Sequence, residues 1–316
     1  MKKLAWLMGI VAVFAASLFF ARDYLGITDI PAAVLKERYG QDAYFVDVLG
    51  AQVRVKESGR GEPLLLLHGF AASADTWDGW RRYIGAHYRV IAVDVTPFAL
   101  TGPLPGRSMT PEEVQNFLDA LTEKLGLSEF YLAGNSLGGF HAWNHALRHP
   151  ERVKKLILVD SAGYPREAPF PVKLMRTPGL REITSHLSPR FLVEDSVRAV
   201  YGEPSRVTDE QIQRYHDLLR REGSRAAVAE LMTSMQVVDP EPIKRLRLPT
   251  LILWGGRDTW IPPEHAEYFR RDIPGSQLIV YDELGHVPME EDPARTALDV
   301  LRFLRAPAQA DAHVSL

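Results

Sequence analysis

The chain contains no cysteine. That excludes disulfides, a thiol nucleophile, a cysteine-bound metal and an acylated lipoprotein cysteine, while leaving the compartment open. One-signed charge is also lacking: 37 basic residues stand against 40 acidic ones, for a net charge of −3. A nucleic-acid partner would need a basic stripe, and none is present, so no such partner is expected. There is no H-E-x-x-H motif and no internal repeat. His141, His145 and His149 fall at i, i+4 and i+8, near one stripe of a helix, but no further ligand accompanies them. They read as helix-packing or surface histidines, and neither a metal nor a cofactor is expected. With 316 residues, 46% of them hydrophobic, the chain can bury a substantial core in one or two domains.

What is present begins with Gly134-Asn135-Ser136-Leu137-Gly138. An apolar run, Phe130 to Ala133, precedes it and reads as a buried strand; Phe140 to Leu147 follows and reads as a helix. Strand, tight turn with serine at its apex, then helix is the context in which G-x-S-x-G becomes a nucleophile elbow. Downstream, strand Thr250–Trp254 runs into Gly255-Gly256-Arg257-Asp258, and strand Gln277–Tyr281 leads to Gly285-His286-Val287-Pro288. The order Ser136, Asp258, His286 is that of the α/β-hydrolase fold, whereas chymotrypsin-like and subtilisin-like chains place the three differently. Upstream, Pro63 to Leu67 is another buried strand and ends in His68-Gly69-Phe70.

The rest of the chain alternates in the same way. Strands Tyr44–Val48 and Gln52–Lys56 form a hairpin, followed by strand Leu64–Leu67, helix Ala74–Tyr83, strand Val90–Val95 and helix Pro111–Leu125. Thr110 is placed to cap that last helix, with Glu113 three residues on. Strand Val153–Asp160 closes the first half. Alternating strands and helices predict a mostly parallel sheet with helices on both faces. Residues 161–248 are rich in proline and short helical patterns and read as a helical cap inserted over the strand ends, where α/β sheets place their sites. The core is expected over 42–160 and 249–305, ending in helix Pro293–Leu304, with a disordered tail over 306–316.

At the N-terminus, Lys2 and Lys3 precede an apolar stretch from Leu4 to Ala21, closed by Arg22-Asp23. Its length of about 18 residues suits a transmembrane helix. Its bulky end, Leu18-Phe19-Phe20, lacks the small residues a signal peptidase needs. Residues 1–22 therefore fit an uncleaved anchor better than a cleaved signal peptide. Either places the catalytic domain on the extracytoplasmic side, and residues 23–41 read as an amphipathic linker.

Over roughly residues 42 to 304 the chain resembles the α/β-hydrolase superfamily, and within it the bacterial capped lipases and carboxylesterases. The residues that carry the resemblance are His68-Gly69-Phe70, Gly134 to Gly139, Val159-Asp160-Ser161-Ala162-Gly163, Trp254 to Asp258 and Gly285-His286-Val287-Pro288-Met289-Glu290. The resemblance implies Ser136 as nucleophile, His286 as base and Asp258 as the orienting acid, with the N–H groups of Phe70 and Leu137 as oxyanion hole. Asp160, which also follows a strand, is the rival acid, and Asp282 and Glu283 lie near. His265 is the nearest rival base but falls in an expected surface helix. His68 reads as a brace for the oxyanion loop. One loop departs from the family pattern Asp-x-x-Gly-x-Gly-x-Ser: here it is Asp94-Val95-Thr96-Pro97-Phe98-Ala99-Leu100-Thr101-Gly102. Phe98 from that loop, with Met232 and Met235 from the cap, are candidates to line an acyl pocket, core packing being the alternative for the methionines.

The resemblance implies a small-molecule ester substrate, and membrane proximity favours one with an apolar chain. A carbon–carbon bond hydrolase of ring-cleavage products uses the same three residues and is the main alternative. Epoxide hydrolases and haloalkane dehalogenases need an aspartate where this chain has Ser136. A non-catalytic binding protein of the same fold is the alternative from a different class.

Overall fold

The structure, a computed structural model, describes residues 17, 21–235 and 238–307. Among these no helix is long and apolar enough to cross a membrane. The expected anchor over Leu4–Ala21, except Ser17 and Ala21, lies outside the described residues, as does the tail beyond Pro307.

Eight strands form one sheet in the order β1-β2-β4-β3-β5-β6-β7-β8. They are β1 (Tyr44–Val48), β2 (Ala51–Ser58), β3 (Pro63–Leu67), β4 (Arg89–Val93), β5 (Phe130–Asn135), β6 (Val153–Val159), β7 (Thr250–Gly255) and β8 (Gln277–Tyr281). The β1–β2 and β2–β4 pairs are antiparallel and all others parallel. The continuous apolar runs of β3, β5 and β7 follow from burial on both faces. Leu65 and Leu67 enter one hydrophobic cluster, while Leu64 and Leu66 enter the other. The period-2 alternation of a strand thus feeds two cores, one on each side of the sheet.

The helices that cover those faces are set by local chemistry. The expected helix over 74–83 is a 3₁₀ turn, Ala74–Trp77, running into α2 (Asp78–Ile84). In α3 (Pro111–Lys124) the Thr110 hydroxyl accepts from the Glu113 N–H at 3.2 Å, which satisfies one of the free first-turn donors. Helix α4 (Leu137–Arg148) leaves the elbow after β5.

Between β6 and β7 the chain leaves the sheet and forms α5 (Phe170–Arg176), α6 (Leu180–Thr184), α7 (Arg190–Ala199), α8 (Asp209–Leu219) and α9 (Ser224–Ser234). Helices α10 (Glu264–Asp272), α11 (Pro288–Glu291) and α12 (Pro293–Arg305) complete the chain. The segment read as a linker is held against this insertion. Arg220 binds Asp23, and the buried guanidinium of Arg225 binds the Gly26 and Ile27 carbonyls and Asp29. Ile30 bridges to Arg221, and α1 (Ala32–Tyr39) follows, with Arg38 and Tyr39 both on the buried Asp217. The inserted helices are thus held by an earlier stretch of chain as well as by their own two ends.

Candidate active site

The C-terminal ends of β3, β5, β7 and β8 converge on one place. β5 stops at Asn135 and α4 starts at Leu137, leaving Ser136 alone in the turn with φ 54° and ψ −117°. That conformation is costly for a residue with a Cβ and persists only where its surroundings fix it. Here they do: the Ser136 N–H donates to the Val159 carbonyl at 3.0 Å, and the Ser136 carbonyl accepts from the N–H groups of Phe140 and Ala162. A Cβ on Gly134 would overlap the Gly138 carbonyl, and one on Gly138 would overlap the Leu67 carbonyl. Only glycine lets the turn close so tightly against β3.

His286 sits in the loop after β8, its backbone N–H on the Val200 carbonyl at 2.8 Å. Its Nδ1 lies 2.7 Å from Asp258 Oδ2, and both side chains are buried. Asp258 Oδ1 accepts from the N–H groups of Trp260 at 2.7 Å and Ile261 at 2.9 Å. With a carboxylate as its partner, Nδ1 carries the imidazole proton and Nε2 keeps a lone pair. The Trp260 ring stacks on His286 at 5.9 Å and 27°. Ser136 and His286 line the same cavity. A serine hydroxyl and an imidazole whose far nitrogen is held by a buried acid thus line one cavity, the set of groups from which a serine nucleophile can be built.

Phe70 lines this cavity too, and Leu137 opens α4, where the first N–H groups have no partner within the helix. His68 holds the loop between them. Its Nδ1 donates to the Gly69 carbonyl at 2.8 Å and its Nε2 accepts from the Val95 N–H at 2.9 Å. Burial pushes its pKa down, which keeps the ring neutral.

Two further residues hold the site together and were not singled out from sequence. Asn135 donates from Nδ2 to the Val159 carbonyl at 3.2 Å and the His286 carbonyl at 3.0 Å, tying the elbow to the histidine loop. Glu291 accepts from the N–H groups of Gly285 at 2.6 Å and Gly202 at 2.9 Å, which joins that loop to the inserted helices. Asn135 stood inside the pentapeptide, and an amide beside the nucleophile was the one available signal.

The cavity has a volume of about 500 Å³, within the range of small-molecule sites. Its walls are mostly apolar and come from the inserted helices: Leu174 and Met175 of α5, Leu192 and Val193 of α7, and Val200. The three expected pocket residues are not among them. Phe98 is buried, edge-on to the rings of His68 and Phe70 at 5.9 Å, because its loop closes through Asp94 onto the Ala74 and Leu100 N–H groups. Met232 and Met235 point into the core, and their carbonyls accept from Arg176. His265 is likewise not on the surface; it is buried edge-on to Tyr164, and burial pushes its pKa down.

Two groups of ligand-type atoms cluster within 4.8 Å among the described residues: Asp160 with Asp258 and His286, and Asp119 with His145 and His149. The second is already neutralised, since Asp119 lies 2.7 Å from His149 Nε2 and 3.1 Å from Arg148 Nε.

Known proteins share this design. A model of the alpha/beta hydrolase family matches residues 64–300. The 2-hydroxy-6-oxo-6-(2'-aminophenyl)hexa-2,4-dienoic acid hydrolase of Metapseudomonas resinovorans is 28% identical, over 82% of this chain and 90% of its own. Lipase 1 of Psychrobacter immobilis is 29% identical, over 75% of each chain. The crystal structure of a bacterial membrane phospholipase A superposes with a TM-score of 0.71 at 26% identity, covering 96% of this chain and 98% of that one.

Proposed function

The chain belongs to the alpha/beta hydrolase family, and from that premise we propose that it cleaves carboxylic esters bearing an apolar acyl chain, through an acyl-enzyme on Ser136. The observation that carries this reading is the cavity wall. Among its described lining residues Arg225 is the only lysine or arginine, and that guanidinium is committed to Gly26, Ile27 and Asp29. A dienoic acid, the substrate class in the name of one relative, brings a carboxylate for which such a wall offers no spare cation, and burying it unpaired is costly. An acyl chain finds mostly apolar contact.

In this reading Ser136 Oγ attacks the ester carbonyl while His286 Nε2 takes the hydroxyl proton. Asp258 holds the tautomer and stabilises the imidazolium. The N–H groups of Phe70 and Leu137 receive the oxyanion, a term worth roughly 3 kcal/mol per donor. As the tetrahedral intermediate collapses, His286 returns the proton to the departing alcohol. Water, deprotonated by the same Nε2, then attacks the acyl carbonyl and releases the acid and Ser136.

The N-terminal apolar stretch is read as an anchor that keeps the catalytic domain on the extracytoplasmic face. Support comes from the inserted helices, where Phe170, Leu180, Ile183 and Phe191 are exposed and Tyr24 stacks on Phe191 at 6.5 Å. Phe170 both lines the cavity and reaches solvent, so an apolar ring stands at the rim. The likeness to a membrane phospholipase points the same way.

A p-nitrophenyl ester series from acetate to palmitate tests the reading. Short-to-medium acyl esters are expected to turn over fastest, and Ser136→Ala to abolish turnover without unfolding. Hydrolysis of a ring-cleavage dienoate with none of any ester would overturn the ester assignment.

A further inference from the structure

The end of β6 carries a second buried acid for which the mechanism above has no use. Asp160 is fully buried, and its backbone is fixed at the end of β6 by its N–H on the Leu253 carbonyl of β7 at 3.0 Å, with φ 44°. Its Oδ1 accepts from the Gly255 N–H at 2.9 Å, while its Oδ2 meets no protein donor. Carboxyl atoms of Asp160 and Asp258 lie within 4.8 Å of each other and of His286. Two acids so close and so dry do not both ionise.

The donors decide which one keeps the charge. Asp258 receives three: the Trp260 and Ile261 N–H groups on Oδ1, and His286 Nδ1–H on Oδ2. Asp160 receives one. A carboxylate offers about four acceptor sites, so Asp258 has one left, next to an Asp160 oxygen that has nothing to accept. Burial, and then repulsion from Asp258, drive the Asp160 pKa well above the carboxylate range, the same direction.

We propose that Asp160 is a neutral carboxylic acid whose O–H donates to the Asp258 carboxylate, which makes it a positioning residue for His286. This rests on the Ser136–His286–Asp258 assignment of the preceding subsection. The donated bond fills the last acceptor site on Asp258 and fixes the carboxylate's rotation. It also draws negative charge on Asp258 away from the imidazole. The other charged or titratable groups facing this pair are Glu291 from α11, beyond His286, and Arg166 and His265 on the side of Asp258. None of them donates a hydrogen bond to either carboxyl group.

The test is the pH dependence of labelling by a fluorophosphonate, a probe that reports the activated serine whichever bond the enzyme cleaves. Asp160→Asn keeps one N–H donor for Asp258, so the acid limb of the profile is expected to stay in place with a modest loss of rate. Asp160→Leu removes the donor. Its maximum rate is expected to fall about ten- to a hundredfold, and its acid limb to move up by roughly one pH unit as the undiminished charge of Asp258 bears on the imidazole. If Asp160 were ionised, Asp160→Asn would remove a negative charge and move the limb down, which overturns the proposal. A loss of rate in Asp160→Leu with an unmoved limb overturns it as well. Should the leucine variant fail to fold, infrared difference spectra decide: the protonated-carboxyl C=O band present in wild type at neutral pH disappears in Asp160→Asn. That band also separates the two readings. A wild type that takes no label defeats the serine assignment, whereas a labelled wild type without the band defeats Asp160 alone.

Discussion

At the scale of single residues, the site depends on a few positions where no other side chain fits or no other atom serves. Gly138 is one, because a methyl group there meets the Leu67 carbonyl and pushes β3 away from the elbow. Gly138→Ala is expected to destabilise the fold by about 3 kcal/mol or more, read as a lowered thermal unfolding midpoint. Asp258 is another. In Asp258→Asn the amide N–H₂ competes for the place where His286 Nδ1–H now donates at 2.7 Å, favouring the tautomer with its proton on Nε2. Turnover of a p-nitrophenyl ester is expected to drop by roughly 10⁴-fold while the unfolding midpoint stays close to wild type. A smaller loss than in Asp160→Asn would move the orienting role to the end of β6.

At the scale of elements, the strands were legible and the cavity was not. β3, β5 and β7 announce themselves because burial on both faces leaves only apolar residues to choose from, and each ends in the glycine or polar residue that turns the chain. Ser136 and Asp258 could be read together because each follows such a strand, and His286 because a loop fixed by Gly285 and Pro288 carries it after β8. The pocket wall has no comparable signature. Leu192 and Val193 face the cavity, and Met232 faces the core, only because of how five short helices lean on one another. The same holds for His265, whose helix carries charge enough to suggest the surface but turns this ring under Tyr164. Glu291 was equally hidden, since its partners are backbone N–H groups of two separate loops. Leu192→Trp is therefore expected to shift the acyl-chain optimum to shorter esters. Phe98→Ala, by contrast, should leave the profile in place while destabilising the protein by about 3–5 kcal/mol. Chain-length profiles and thermal melts of the two variants check both outcomes.

At the scale of the whole molecule, exposed apolar side chains of the inserted helices, Phe170 and Phe191 among them, stand on the elements against which the first described residues pack, with Tyr24 on Phe191. The full-length protein is expected to float with lipid vesicles in a density gradient. Replacing Phe170 and Ile183 by serine should lower turnover of vesicle-borne esters several-fold, leaving soluble short esters unaffected. Equal loss on both substrates would remove the rim from membrane contact.

The clamp of residues 23–30 on the inserted helices has a mechanical meaning as well. Asp23 is held by Arg220, the backbone of Gly26 and Ile27 by Arg225, the Leu25 carbonyl by the Ser188 N–H, and Ile30 by the stretch from Arg220 to Glu222. Only after these, in α1, does the chain reach the sheet, with Lys36 over the Phe45 ring and the Tyr39 carbonyl on Arg54. Any force arriving along the N-terminal chain is thus borne first by the helices that wall the cavity, and the sheet that holds Ser136, Asp258 and His286 lies behind them. In the anchored reading proposed above, the substrate chamber is in series with the tether, and the frame of strands behind it is shielded.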